Sequence, residues 1–205
     1  MFDDVQGADA PKDLIIGQQA REAMNQLDRR DLLKLGLVGI LGSVVPLMPA
    51  GTAMASNYGA HRINFRQAHT GDGFNGVYRV GDRYLPEAFD RINYALRDHR
   101  TREVFPMDPR VIDIISIIQS RIPGNKKLNI LSGYRSPKTN AMLRGASTGV
   151  AKNSFHMYGQ ALDVRVPGYS SRKVQSIAKS LRAGGVGYYS RSNFVHVDTG
   201  TVRSW

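Results

Sequence analysis

The chain has no cysteine and a single tryptophan in 205 residues. The first absence removes disulfides, thiolate nucleophiles, thiolate metal ligands and lipid attachment at a cysteine. Any bound metal must use His, Asp, Glu or water, which suits zinc in a catalytic rather than a structural setting. Acidic residues are scarce too: 17 Asp and Glu against 28 Lys and Arg give a formal net charge of +11. The deficit is uneven. Residues 1–23 carry five acidic residues against Lys12 and Arg21, whereas residues 56–205 carry 23 basic against 10 acidic. A basic body favours a polyanionic partner such as nucleic acid, an anionic membrane or a cell-wall polymer, or it serves solubility alone. The charges of this part are scattered, with no run longer than a pair such as Lys126-Lys127, and no nucleic-acid-binding motif is present.

Long apolar runs are also missing. The densest stretch, Leu35 to Met48, covers 14 residues, whereas a membrane span needs about 20. That stretch belongs to "LDRRDLLKLGLVGILGSVVPLMPAGTAMAS" (Leu27–Ser56), in which Arg29-Arg30 precede an uncharged segment and Ala53-Met54-Ala55 supplies small residues for a signal peptidase. This resembles a twin-arginine export signal cleaved after Ala55, so no permanent membrane anchor is expected. The predicted organisation is an N-terminal extension at 1–28, a signal at 29–55 and one domain at 56–205. The acidic extension is unusual before such a signal, and translation from Met24 would remove it. Export by this route delivers a folded chain to the periplasm.

Within the domain, "HRINFRQAH" and "FNGVYRV" alternate about Thr70-Gly71-Asp72-Gly73 and predict a β-hairpin. Leu85–Arg100 opens with Pro and Glu and predicts an amphipathic helix. Pro109 to about Arg121, dense in Ile, predicts a second and deeply buried one. Leu128 to Ser132 predicts a buried strand and Lys138 to Leu143 a short helix. "ALDVRV" predicts a strand with Leu162, Val164 and Val166 on one face and Asp163 on the other. A helix from Ser170 or Ser171 to a stop at Gly184 and two strands, "GVGYY" and "NFVHVDTG", complete the chain. The order implies an α+β domain with a small, mostly antiparallel sheet flanked by helices.

Of five histidines, His61, His69 and His99 have no chemical neighbours in the sequence. His156 enters the Asp163 strand through a turn at Gly159, and His196 shares a strand face with Phe194 and Asp198. If the two strands pair, His156, Asp163 and His196 meet as two imidazoles and a carboxylate, a zinc-binding set with one position left for water. The spacing alone favours a satisfied core histidine beside a strand-end aspartate over that set.

Three segments carry a resemblance: "SGYRSPKTN" (Ser132–Asn140), "SFHMYGQALDV" (Ser154–Val164) and "GGVGYYSRSNFVHVDTG" (Gly184–Gly200). Together they resemble zinc D-alanyl-D-alanine-type peptidases, which share a fold with lysostaphin-like enzymes and the hedgehog signalling domain. Within that group they are most similar to the murein endopeptidase K branch. The resemblance spans about Asn64 to Trp205. It implies His156, Asp163 and His196 as ligands of one zinc ion per chain and Arg135 as an arginine facing substrate. Ser154 is implied as a donor to substrate or a support of its loop.

The chain departs from the wider family, many members of which carry a glutamate general base three residues before the last histidine and others a histidine two residues before it, where this chain has Phe194. At the glutamate position stands Asn193. Asp198 is then a candidate either for general base or for fixing an imidazole. The implied activity is hydrolysis of peptide cross-links of peptidoglycan, between two diaminopimelates or between D-alanine and diaminopimelate. The partner is the peptide stem and not nucleic acid. A D,D-carboxypeptidase and a non-catalytic wall-binding module with structural zinc are the alternatives.

Overall fold

The structure, a computed structural model, describes residues 59–147 and 149–205. The extension at 1–28, the signal at 29–55, Met24 and the domain start at 56 lie outside the described residues. Among the described residues, four α-helices and eight strands form an α+β domain with one mixed sheet. The strands are β1 (Ala60–Gln67), β2 (Gly73–Val80), β3 (Arg83–Tyr84), β4 (Leu128–Ser132), β5 (Ala161–Arg165), β6 (Gly185–Tyr189), β7 (Phe194–Asp198) and β8 (Arg203–Ser204). They lie in the order β3-β2-β1-β4-β5-β7-β6-β8. The pairs β1–β4 and β6–β8 are parallel and the others antiparallel. The helices are α1 (Pro86–Ala95), α2 (Pro109–Ser120), α3 (Pro137–Ala146) and α4 (Ser171–Leu181).

Alternation along the strands makes one face of the sheet apolar. Ile63 and Phe65 of β1, Leu128 and Ile130 of β4, Leu162 and Val164 of β5, and Val195 and Val197 of β7 are all essentially inaccessible. Helix α2 supplies the other side of this core with Val111, Ile112, Ile115 and Ile118, each at zero exposure. It packs on β1, β7 and α4, while α1 covers β2 and α4 covers β6 and β7. The odd-numbered positions of β5 and the even-numbered ones of β7 therefore point to the opposite face, which carries the polar side chains.

The predicted hairpin, the Ile-rich helix and the strand Leu128–Ser132 form at the positions the patterns indicate. Three helix ends differ, the short third helix running on to Ala146 rather than Leu143. The first helix stops at Ala95 rather than Arg100, because Asp98 is buried and accepts the backbone N–H groups of Arg100 and Thr101, turning the chain away. The last helix ends at Leu181, where Arg182 takes the left-handed conformation (φ +50), two residues before the glycine expected to stop it. The two-residue strands β3 and β8 are too short for periodicity to reveal. No helix among the described residues is long and apolar enough to cross a membrane.

A buried amide joins α2 to the sheet. Gln119 donates from Nε2 to the carbonyls of Asn64 and Lys126, each at 2.7 Å, and accepts from Asn64 N–H at 2.9 Å. It thereby pairs backbone groups of β1 at a position before its pairing with β4 begins at Phe65. Gln119→Leu leaves those groups without partners in an apolar setting, a loss of about 2 kcal/mol or more. Urea denaturation at constant m-value should register it, and an unchanged midpoint would show the amide to be dispensable.

Candidate metal centre

Asp163 is the central residue of β5, and the antiparallel register places it directly opposite His196 of β7. Their side chains therefore share the polar face, with His196 Nδ1 2.9 Å from Asp163 Oδ1. His156 arrives from a single 3-10 turn, Phe155–Tyr158, closed by Gly159 in the left-handed conformation (φ +66). A side chain at 159 would meet the Pro106 carbonyl oxygen at 2.3 Å, so only glycine satisfies both the turn and its close approach to that segment. The Gly159 carbonyl then accepts from Asp108 N–H at 2.9 Å, pinning the turn to the start of α2. From it His156 Nε2 reaches to 3.3 Å from Asp163 Oδ1 and 3.3 Å from His196 Nδ1. One ligand atom from each of the three residues lies within 4.8 Å of the others.

The outward nitrogens fix the tautomers. His156 Nδ1 donates to the Gly133 carbonyl at 2.8 Å, and His196 Nε2 donates to Asp198 Oδ2 at 3.0 Å. The inward nitrogens then present lone pairs. Three acceptors converge with no donor between them, an arrangement that only a proton or a cation relieves. The acid–base behaviour reports the same demand for positive charge. Burial pushes His196 down, but hydrogen bonds to Asp163 and Asp198 and their charges raise it to about 9. His156, fully desolvated, is pushed down despite Asp163. Burial opposes ionisation of Asp163, yet the two imidazoles hold its carboxyl well below the usual carboxylate range. Two neutral imidazole nitrogens and a carboxylate oxygen, pre-oriented and buried, fit a zinc-type ion.

Asp198 sits behind His196 at zero exposure. Its Oδ1 accepts from Gly185 N–H, Gly200 N–H and Arg203 Nη1, and its Oδ2 from His196 Nε2 and Arg203 Nη2. These donors outweigh burial and keep it ionised. Asp198 does not line the cleft in front of the trio.

Arg135 does line it. The residue follows β4, its N–H donates to the His156 carbonyl at 3.1 Å, and its Nη2 lies 3.3 Å from Ser132 Oγ and 3.7 Å from Asp163 Oδ2. Its guanidinium is half-enclosed, so burial lowers its affinity for the proton while Asp163 counters. Ser154 borders the same cleft, and its hydroxyl does not cap the 3-10 turn that follows it. The cleft, of about 250 Å³, is closed on one side by Phe194, stacked on Tyr189 at 4.5 Å, and by Trp205, whose ring lies 5.5 Å from that of His196. Asn193 is absent from it, being an exposed turn residue.

Sequence reasoning did not single out the Gly133 carbonyl, Arg203 or Trp205. Gly133 has no side chain to signal its use. The other two lie beyond the last motif and reach the site only through the two-residue pairing of β8 with β6.

Residues 55–205 match the peptidase M15_2 family, described as peptidoglycan L,D-endopeptidase MepK. A probable peptidoglycan L,D-endopeptidase MepK of Haemophilus influenzae is 41% identical over 183 residues, covering 89% of this chain and 98% of that protein. The peptidoglycan L,D-endopeptidases MepK of Escherichia coli K12 and Shigella flexneri are each 39% identical over 178 residues, covering 87% of this chain and 97% of theirs. By the extent of the family match and by these identities, the chain belongs to the M15-type peptidases, in the family of peptidoglycan L,D-endopeptidase MepK.

Proposed function

We propose that the chain is a zinc-dependent murein endopeptidase that cuts peptide cross-links of peptidoglycan in the periplasm. The observation that carries this reading is the convergence of His156 Nε2, Asp163 Oδ1 and His196 Nδ1, three acceptors with their outward partners already engaged. His156, Asp163 and His196 would hold the ion, and zinc there would supply the acidity for a bound water and the polarisation of the scissile carbonyl. Gly133 and Asp198 keep the two rings in the tautomer that binding needs. Arg135 turns its planar fork toward a stem carboxylate or the carbonyl oxygen on which charge develops. The hydroxyl of Ser154, at the cleft, donates to the peptide, and Trp205, Tyr189 and Phe194 shield one side from water. Asp198, enclosed by five donors, acts as the support of His196 rather than as a base. The names of the relatives specify an L,D bond. That favours the link between two diaminopimelates over the D-alanine–diaminopimelate link, in which both centres are D.

Digestion of purified sacculi followed by muropeptide analysis tests this. Diaminopimelate-linked dimers should fall to monomers, chelator should stop the reaction, and zinc should restore it. His156→Ala should be inactive. Arg135→Lys, which keeps charge but not the fork, should lose about 10²-fold in kcat/KM with zinc content unchanged. Release of terminal D-alanine alone would instead mean a carboxypeptidase, and retention on sacculi without cleavage a binding module. A His156→Ala variant as fast as the parent would sink the zinc mechanism.

The metal-free protein should show a particular pH dependence. His196 binds its proton more tightly in the folded state (about 9) than in the unfolded chain (about 6.5). The stabilisation is complete below pH 6.5 and is lost as pH rises through about 9. Metal-free protein should therefore melt at progressively lower temperature between those values. Zinc, replacing that proton, should flatten the curve. A metal-free Tm that is flat across this window contradicts the assignment.

The basic domain suits an anionic polymer, and the twin-arginine signal at 29–55 suits a metalloprotein that takes up its ion before export. Replacing Arg29 and Arg30 together with lysine should leave the full-length chain in the cytoplasmic fraction. Undiminished periplasmic recovery would exclude this route.

A further inference from the structure

The last strand, β8, has only two residues, yet it is inserted where side chains would ordinarily be. It pairs in parallel with β6, Gly185 opposite Arg203 and Val186 opposite Ser204. A Cβ on Gly185 would lie 2.4 Å from Arg203 Nη1 and 2.5 Å from Asp198 Oδ2. One on Gly187 would lie 2.6 Å from the Trp205 ring. Two alternate positions of β6 are thus left without side chains, and Arg203 and Trp205 fill the space.

Arg203 uses that space to present both terminal nitrogens to Asp198, Nη1 to Oδ1 at 3.0 Å and Nη2 to Oδ2 at 2.7 Å. Its guanidinium carbon lies 5.3 Å from the Phe155 ring centroid and 5.0 Å from that of Trp205, within cation–π reach of both rings. A bidentate pair fixes the plane of the carboxylate it grips. Asp198 in turn receives His196 Nε2 at 3.0 Å. The line Arg203–Asp198–His196 ends at the nitrogen that faces Asp163 and His156.

We infer that Arg203 is a positioning residue of the metal centre: it locks the Asp198 carboxylate in the plane that keeps His196 Nδ1 turned toward Asp163 and His156. This rests on the zinc reading proposed above. Arg203 borders the cleft, but its fork faces inward, so its contribution goes to the metal and not to a substrate carboxylate. The Gly185 backbone and Arg203 then serve one purpose, the first by having no side chain and the second by entering where that side chain would be.

The test is zinc affinity by chelator competition, with kcat and KM on the same preparations. The full domain is used in five forms: parent, Arg203→Met, Arg203→Lys, Asp198→Asn, and the double variant Arg203→Met/Asp198→Asn. Loss of a partner that orients a ligand weakens metal binding by about 10–100-fold. Arg203→Met should fall in that range. Arg203→Lys, with charge but no fork, should lie between it and the parent. Because Arg203 acts through Asp198, the double variant should bind zinc within about twofold of Asp198→Asn alone. At saturating zinc, KM of Arg203→Met should stay near the parent's. Affinity in both Arg203 variants within twofold of the parent overturns the inference. So does full additivity of the double variant, or a rise in KM with affinity unchanged. Should Arg203→Met fail to fold, Arg203→Lys and the Asp198→Asn/Arg203→Lys pair decide it by the same criteria. A parent chain that takes up no zinc removes the reading beneath the inference, and is distinguished by that result alone.

Discussion

Asp163 Oδ1 lies 2.9 Å from His196 Nδ1 and 3.3 Å from His156 Nε2, and the proton of each ring is engaged on its far side. Buried acceptors at such distances repel unless something positive stands among them, and low local polarity strengthens the repulsion. The surrounding protein holds these groups at distances that suit a proton or a cation among them. It does so with paired strands laid on the buried core. Asp163 and His196 are opposed in one antiparallel ladder whose other face is fixed by Leu162, Val164, Val195 and Val197 in the core. A one-residue slip of β5 against β7 would send the acid into the core and the valines to the cleft. Burial of the apolar face thus sets the register, and the register sets the site.

Two carboxylates outside the trio attach the loops. Asp98 accepts Arg100 and Thr101 N–H on one oxygen and Ser136 N–H on the other, while Tyr134 N–H donates to the Leu96 carbonyl. Burial opposes ionisation of Asp98, but its hydrogen bonds hold it well below the usual carboxylate range. Asp98 thereby bolts the turn after α1 to the segment that carries Arg135. Asp108 does the equivalent for His156. It caps α2 at Arg110 N–H, accepts from Thr199 Oγ1 at 3.0 Å, and gives its own N–H to Gly159. Each functional loop is tied at its base by a carboxylate that takes no part in the cleft.

What the sequence displayed and what it hid follow from the range of the interactions. Period-two alternation in "ALDVRV" and "NFVHVD" was enough to place Asp163 and His196 on polar faces, and the glycine at 159 was enough to fold His156 back. Those are local properties of a few residues. Whether the two strands paired was not local, and spacing alone favoured a core histidine over a ligand. The resemblance carried by three separated motifs reversed that choice. Hidden altogether were contacts whose residues share no periodicity with the site: the Gly133 carbonyl, the Asp98 and Asp108 ties, and the return of Arg203 and Trp205 through a two-residue strand. The helix stop at Arg182 rather than Gly184 belongs here as well, because tertiary context overrode the cheaper left-handed residue.

The substitution at 193 changes meaning when its backbone is considered. Asn193 holds φ +52 in the turn between β6 and β7, a conformation that asparagine adopts more readily than glutamate. Its carbonyl accepts from Arg165 Nε at 2.9 Å and from Ser171 Oγ at 3.2 Å, so β5 and the first turn of α4 both anchor on it. Its neighbour Phe194 occupies the cleft wall through the stack on Tyr189. In this chain the turn before the last histidine is therefore built as a structural joint, with its side chain outside the cleft. Asn193 is exposed and does not line the cleft, so its side chain does not occupy there the place of the acid implied by the resemblance. Among the described residues Asp163 is the only residue with a carboxylate side chain lining the cleft, and Arg135 Nη2 lies 3.7 Å from its second oxygen.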